Sequence, residues 1–229
     1  PAFADEFTDI VDYIIKITHR IWEEKAIGLI YTYYLHNAVI HTSSGDIYGR
    51  DAVVTGTIQT LAGFPDRRLF GDEVIWQQEN DGTYYSSHRI THEGRNTGYT
   101  EYGPPTGRKV SFGAIADCVV KDNQIIEEWL VRDGLTMIHQ LGLDYRETAQ
   151  RMAQVEADFG LGDLRVPGEV ERLQGQLPPK PPASATGDVE EFIRRSFHEI
   201  WNWRLLNKVD EYYADNISYQ SASMRQLYG

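Results

Sequence analysis

The sequence predicts an α+β fold in which helices precede a curved antiparallel sheet. In the first part of the chain, apolar residues recur at the spacing of an amphipathic helix. The middle of the chain holds long strand-like segments that are joined by tight turns. A proline-rich stretch then precedes a repeat of the opening pattern, which predicts a second unit.

The first predicted element is a long helix. Its buried stripe consists of residues three and four positions apart: Phe7, Ile10, Val11, Ile14, Thr18, Ile21 and Trp22. The same spacing continues through residues 25–35, and residues 38–41 predict a short strand. Another helix is expected over residues 49–61. Pro65 ends this stretch, because proline cannot continue the helical hydrogen-bond ladder.

Four long strands are predicted next, over residues 69–78, 83–92, 108–120 and 124–132. Tight turns at 80–82 and 121–123 join neighbouring strands, because Asp, Asn and Gly tolerate the positive φ of hairpin turns. Residues 94–107 form a loop long enough to cover the mouth of a pocket. Helices at 134–141 and 144–158 follow, which gives the α+β order.

The composition divides the chain into three parts. Residues 1–144 are expected to form a complete domain, and residues 145–187 a helix and a proline-rich linker. Residues 188–229 are expected to begin a second, incomplete copy. Seven residues of the first part recur at a constant offset of 179 positions: His19, Ile21, Trp22, Tyr33, Tyr34, Asn37 and Ser44. A helix pair and one strand cannot bury an apolar face alone, so this copy should continue beyond Gly229 or pack on a partner.

The charge balance narrows the classes of partner. The chain has 22 Lys and Arg against 34 Asp and Glu, a net charge of −12, which opposes binding to nucleic acid or to an anionic membrane. Small neutral or hydrophobic ligands fit this balance. Cys118 is the one cysteine, so no intramolecular disulfide forms and a cytoplasmic location is expected. The first residues are acidic where a secretory signal has basic ones, and no apolar run reaches about 18 residues, so no membrane span is expected.

Four short segments carry a family resemblance: Tyr48-Gly49-Arg50-Asp51, Phe64-Pro65-Asp66, Ile126-Glu127-Glu128-Trp129 with Asp133, and Gln140-Leu141-Gly142-Leu143. Through them, the segment from Phe7 to Asp144 resembles the SnoaL-like polyketide cyclase group of the nuclear-transport-factor-two-like superfamily, which has a cone-shaped α+β fold. The resemblance implies a bent sheet wrapped around the long helix and one deep, mainly apolar cavity.

The resemblance also implies an activity. Members of the group include polyketide cyclases that close a ring by intramolecular aldol condensation, without metal or cofactor, so neither is expected here. The superfamily also contains ketosteroid isomerases, dehydratases, epoxide hydrolases and members that only bind ligands. The fold therefore does not by itself give the function.

Asp133 is the first candidate catalytic residue. Strand alternation places it on the same side as Glu127 and Trp129, since residues two and four apart share a side. If Trp129 faces the cavity, burial there raises the pKa of the carboxyl towards that of a general base. The resemblance implies a catalytic acidic residue at this distance from the tryptophan. The alternative role is a cap on the helix that begins near Gly134, and both roles can hold at once.

His88 and His92 are the other catalytic candidates. They lie four positions apart and share one face of their predicted strand. They could donate hydrogen bonds to a developing enolate oxygen or titrate as partners of Asp133. A metal would need a third ligand such as Asp133 or Asp117. Structural or exposed histidines are the remaining alternative.

A further set of residues is expected to line the pocket: Trp129, Tyr33, Tyr34, Trp76, Phe112 and Asp117. For Asp117, the alternation leaves open which face of the strand 108–120 points inward. The cyclase pattern has a histidine on the strand segment 116–119, where this sequence has none. His88 or His92 would then substitute from the neighbouring strand.

The sequence as a whole predicts a cofactor-independent enzyme of the polyketide-cyclase type that acts on a hydrophobic carbonyl compound. Asp133 would remove a proton next to the carbonyl, and a histidine would stabilise the enolate. The alternatives are a non-catalytic small-molecule-binding or dimerisation module, and a hydrolase or dehydratase on the same scaffold. A homodimer or an intrachain pseudo-dimer of the two copies is the expected assembly.

Overall fold

The computed structural model describes residues 6–160, 189–221 and 225–229. Of these, residues 6–160 form one compact unit (unit 1), and the remaining described residues form a second one (unit 2). Most of the predicted proline-rich linker, residues 161–187, lies outside the described residues. In the described part of the chain, no helix has the length and apolarity that crossing a membrane requires.

Unit 1 contains five α-helices among the described residues: α1 (Ile10–Thr18), α2 (Ile30–Tyr33), α3 (Arg50–Gly63), α4 (Gly134–Leu141) and α5 (Tyr145–Asp158). A π-helical turn, His19–Glu23, extends α1, and a 3-10 turn, Ile27–Leu29, precedes α2. Asp9 caps α1 by accepting a hydrogen bond from the Asp12 backbone N at 2.8 Å. The apolar stripe of α1 is buried, as its spacing predicts.

Six strands form the sheet of unit 1: β1 (Tyr34–Thr42), β2 (Gly45–Tyr48), β3 (Arg68–Gln78), β4 (Tyr84–Arg95), β5 (Lys109–Lys121) and β6 (Gln124–Arg132). Their spatial order is β2-β1-β6-β5-β4-β3, and in this sheet only β1 and β6 pair in parallel. The α+β fold class is therefore confirmed. The short strand β2, which follows a turn at Gly45, is absent from the sequence prediction.

The inner face of the sheet is set by β4 and β5. On β4, the alternate residues Ser86, His88, Ile90 and His92 are buried. The β5 set that includes Phe112 and Cys118 is also buried, so Asp117 points outward and is exposed. The structure therefore shows which face of β5 points inward, a question that the sequence alternation left open.

A β-bulge changes the alternation on β6. The pairing of β5 with β6 shifts at Val119 and Val120, which lie opposite Glu127 and Ile125. As a result, Ile125 and Glu128 are both buried although they are three positions apart. The expectation that Trp129 faces the cavity is therefore wrong: Trp129 is 40% exposed and lies on the outer face.

Two apolar clusters flank the inner face of the sheet. The larger one packs α1 and α2 against β1, β5 and β6, with Tyr13, Ile17 and Ile21 fully buried. The smaller one joins Phe64, Phe112 and other apolar residues of β5 and α4. The inner face also carries buried polar residues, among them His92 and Glu128.

Unit 2 begins with the same order of elements as unit 1. It contains α6 (Val189–Ser196), a π-helical turn (Phe197–Asn202), a 3-10 turn (Leu206–Lys208), α7 (Val209–Tyr212), β7 (Ser218–Ser221) and β8 (Arg225–Tyr228). The backbone details agree as well: Lys25 has φ 59° and Arg204 has φ 56°. The second copy itself stays a prediction.

Candidate active site

A cavity of about 620 Å³ lies over the inner face of the sheet in unit 1. Its walls come from β1, β4, β5 and β6, from α3, from Met137 of α4, and from residues 99–102 of the long loop. This volume is typical of small-molecule sites. A smaller cavity of about 50 Å³ lies beside α1. Both cavities share the same polar residues: Tyr34, Arg67, His92, Glu128 and Arg132.

Glu128 and Tyr34 form a buried hydrogen-bonded pair on the cavity wall. The Tyr34 hydroxyl donates to Glu128 Oε2 at 2.8 Å, across β1 and β6. Burial raises the pKa of the Glu128 carboxyl. The hydrogen bond from Tyr34 and the charge of Arg132 lower this pKa, but by less than burial raises it. Glu128 is therefore a carboxylate with a proton affinity above that of an exposed glutamate.

Arg67 and His92 form a second buried pair. Arg67 Nε and Nη2 donate to His92 Nδ1 at 3.2 and 2.7 Å. Since a guanidinium can only donate, Nδ1 must be the acceptor, so the proton of a neutral imidazole lies on Nε2. Burial holds the pKa of His92 well below its usual value, and the charges of Arg67 and Arg132 lower it further. The ring is fixed by stacking on Phe112, with centroids 5.0 Å apart.

Several buried side-chain polar atoms lack a hydrogen-bond partner in the described part of the chain, among them Arg67 Nη1, His92 Nε2 and His88 Nε2. Arg67 and His92 line the larger cavity. A buried donor without an acceptor costs free energy, so these two donors are suited to a ligand oxygen. The cavity therefore combines a base of raised pKa with unpaired donors.

His88 lies on the same face of β4 as His92 but not on the wall of the larger cavity. It lines only the smaller of the two cavities and is 2% exposed. Burial lowers the pKa of His88 to about 4, against the opposing effect of Asp72. The described residues contain no group of three His, Cys, Asp or Glu side chains placed to hold a metal ion.

The buried His88 gives a testable pH dependence. Its folded-state pKa of about 4 lies below the ordinary value of 6.5. The stability associated with neutral His88 is therefore fully present above pH 6.5, and it is lost as the pH falls towards 4. This loss amounts to about 3 kcal/mol. We measure the fall in the free energy of unfolding between pH 7 and pH 4 by urea unfolding. We expect this fall to be about 3 kcal/mol smaller for His88→Gln than for the wild type.

The matched control for this prediction is His36→Gln, since His36 lies exposed on β1. This variant should show the pH dependence of the wild type. Equal slopes for the His88 variant and the wild type would contradict the role of His88.

Only some of the predicted site residues line the larger cavity. His92, Tyr34 and Phe112 line the larger cavity. Asp133 caps α4: its Oδ1 accepts from the Thr136 backbone N at 3.0 Å, and its Oδ2 accepts from Thr136 Oγ1 at 2.6 Å. Asp133 is absent from the residues that line either cavity, although its neighbour Arg132 lines both.

Other predicted lining residues lie elsewhere, for identifiable reasons. Asp117 and Trp129 are paired on the outer face, where Trp129 stacks on His41 with centroids 5.0 Å apart. Trp76 lies on the edge strand β3 and is 49% exposed. Tyr33 packs in the cluster around α1, and its hydroxyl donates to Glu6 Oε1 at 2.8 Å. These four residues do not contact the cavity.

The cavity lining includes polar residues that the predicted site lacks, among them Glu128, Arg67 and Arg132. On β6, the set of Glu128 and the set of Trp129 both contain polar and apolar residues, so the pattern does not show which set faces inward. Arg67 follows a loop, and no sequence signal indicates that it is buried. Its pairing with His92 arises only from the fold.

Comparison with known proteins agrees with the observed architecture. The sequence model of the family described as SnoaL-like polyketide cyclase matches residues 13–141. Among curated proteins none matches the chain significantly.

Solved structures are similar to unit 1. IdmH from Streptomyces antibioticus, described as a candidate polyketide cyclase, is 22% identical with a TM-score of 0.50, covering 58% of this chain and 98% of its own. TsrD from Streptomyces laurentii is 20% identical with a TM-score of 0.50, covering 58% of this chain and 94% of its own. AclR from Streptomyces galilaeus, described as a candidate hydroxylase, is 18% identical with a TM-score of 0.50, covering 58% of this chain and 98% of its own. At these identities the likeness concerns the fold alone.

Proposed function

The chain belongs to the SnoaL-like polyketide cyclase family, and from this premise we propose that unit 1 is a proton-transfer enzyme acting on a hydrophobic carbonyl compound. The observation that carries the proposal is the buried Glu128, hydrogen-bonded to Tyr34 on the wall of a cavity that also contains a neutral His92. A base of raised pKa and a donor in one water-poor cavity are what enolate chemistry requires.

Glu128 acts as the general base in this proposal. Its carboxylate removes a proton from the carbon next to a substrate carbonyl, and the electron pair of that C–H bond forms the enolate. Burial supports this role, because the raised pKa brings the carboxyl closer to the working pH. The Tyr34 hydroxyl holds the carboxylate in one orientation.

His92 stabilises the enolate oxygen through its Nε2–H. The neutral imidazole is held in one tautomer by Arg67 and in one plane by Phe112, so the donor is oriented before the substrate binds. The enolate carbon then attacks a second carbonyl of the same molecule and forms a C–C bond. Protonated Glu128 returns its proton to the resulting alkoxide, which completes an aldol cyclisation.

A direct test is α-proton exchange. The full chain is incubated in D2O with the benzo-fused cyclic ketones 1-tetralone, 2-tetralone and 1-indanone, and exchange is followed by NMR. Exchange above the buffer rate supports the proposal. Binding of these ketones without exchange would favour the alternative, a non-catalytic small-molecule-binding module.

Asp133 stays a second candidate for the base, and Asp133→Asn separates its two roles. Asparagine caps helices about as well as aspartate, and its amide oxygen can still accept from the Thr136 backbone N. We therefore expect the unfolding free energy, measured by urea unfolding, to change by less than about 1 kcal/mol. We expect exchange by the folded variant to stay within about threefold of the wild type, because a lost general base costs about a hundredfold or more. Loss of exchange with the fold retained would instead assign the base to Asp133.

A further inference from the structure

Arg67 is a buried cation without a carboxylate partner. Its side chain is 6% exposed and lines both cavities. Two of its nitrogens donate to the same atom, His92 Nδ1, and Nη1 has no partner in the described residues. Buried guanidinium groups normally pair with carboxylates or phosphates, because an uncompensated buried charge is costly.

The charges around Arg67 do not compensate it. His92 is neutral, and the charge that affects the pKa of Arg67 is that of another cation, Arg132. Burial lowers the pKa of Arg67 to about 9, which leaves the guanidinium protonated at neutral pH. Glu128 interacts with Arg132, so its carboxylate offsets one of the two guanidinium charges. The polar end of the cavity is therefore cationic, although the chain carries a net charge of −12.

We propose that the cavity binds an anionic group of its ligand at Arg67, so that the ligand is a hydrophobic keto acid, carrying a carboxylate besides its carbonyl. The inference rests on the proposed function, which it deepens by naming the substrate class. The carboxylate accepts hydrogen bonds from Arg67 Nη1, the unpaired buried donor, and is attracted by Arg132. The ketone oxygen takes the second unpaired donor, His92 Nε2–H.

The test compares two probes of equal shape, 2-naphthoate and 2-naphthamide, which differ in charge. Dissociation constants for the full chain are measured by titration calorimetry at pH 7. We expect 2-naphthoate to bind about tenfold or more tightly than 2-naphthamide, as charge-assisted hydrogen bonds are the stronger kind. Equal affinities for the two probes would overturn the proposal.

Arg67→Met tests the assignment to this residue. We expect it to remove the preference for 2-naphthoate, because the affinity for 2-naphthoate should fall to about that of 2-naphthamide for the same variant. The matched control is Arg68→Met, since Arg68 is exposed beside Phe70 and should leave both affinities unchanged. A preference that persists in folded Arg67→Met would overturn the proposal. If that variant does not fold, Arg67→Lys keeps the charge and should keep the preference.

These measurements separate the ligand class from the catalytic function. Glu128→Gln should still prefer 2-naphthoate, because it leaves Arg67 in place. Ketone exchange by the wild type without a preference for 2-naphthoate would refute the carboxylate subsite and leave proton transfer standing. A preference that depends on Arg67 without any ketone exchange would refute proton transfer and leave an anion-binding cavity.

Discussion

Glu128→Gln is expected to reduce α-proton exchange at least about a hundredfold while the protein stays folded. Glutamine has nearly the same volume and can still accept the hydrogen bond from the Tyr34 hydroxyl, but its amide cannot take a proton. The loss would therefore lie in the chemical step. We expect the dissociation constant for 2-tetralone to change little, because the shape of the cavity is preserved.

The stability of the Glu128 variant provides an independent check. Burial raises the pKa of Glu128 above its unfolded value, so the folded state favours the protonated form. The associated stability is fully present below the unfolded pKa and is lost as the pH rises through the folded pKa. Glutamine removes this loss. We therefore expect the variant to be at least as stable as the wild type at pH 8, measured by urea unfolding.

The matched control is Glu127→Gln, one position away on the same strand. Glu127 lies outside the cavity lining, and its Oε1 is 2.9 Å from His41 Nε2. This variant should exchange protons at the wild-type rate. Wild-type exchange in Glu128→Gln, together with its loss in Asp133→Asn, would move the catalytic role to the carboxylate that the sequence indicates.

Gly98→Ala is expected to destabilise unit 1 by about 3 kcal/mol, which is large for the addition of one methyl group. A Cβ at Gly98 would lie 2.0 Å from the carbonyl oxygen of Ala62 and 2.9 Å from its carbonyl carbon. Both are backbone atoms of α3, so the end of this helix or the loop must shift. The segment is held on both sides, since Gly98 N donates to Gly63 O at 3.2 Å and Asn96 Nδ2 donates to Gly98 O at 2.8 Å.

The same substitution should weaken ligand binding. Residues 99–102 follow Gly98 directly and line the cavity, so a displaced loop changes the cavity wall. Urea unfolding and the affinity for 2-naphthoate measure the two effects. The control is Gly56→Ala in the middle of α3, where a Cβ would meet nothing within 4 Å. We expect this control to stabilise the protein by about 1 kcal/mol. A Gly98→Ala variant as stable as the wild type would contradict the close approach of loop and helix.

Local patterns in the sequence determined most elements of unit 1. The apolar stripe from Phe7 to Trp22 predicts the first helix, and the turns at 80–82 and 121–123 fix the order of the long strands. The α+β fold and the resemblance to the SnoaL-like family are confirmed. Alternation on β4 also placed His88 and His92 on one face. These features depend on residues that are neighbours in the chain, which is why a single sequence reveals them.

The tertiary structure alone decided which carboxylate lies on the cavity wall. On β6, a bulge turns Glu128 inward and Trp129 outward. No pattern of residues in the sequence predicts this bulge. The Tyr34–Glu128 hydrogen bond joins residues 94 positions apart. The Arg67–His92 pair likewise joins a loop to a strand. Local propensity does not encode such contacts: they form when the sheet closes around α1, and burial then sets the pKa values of the groups it encloses.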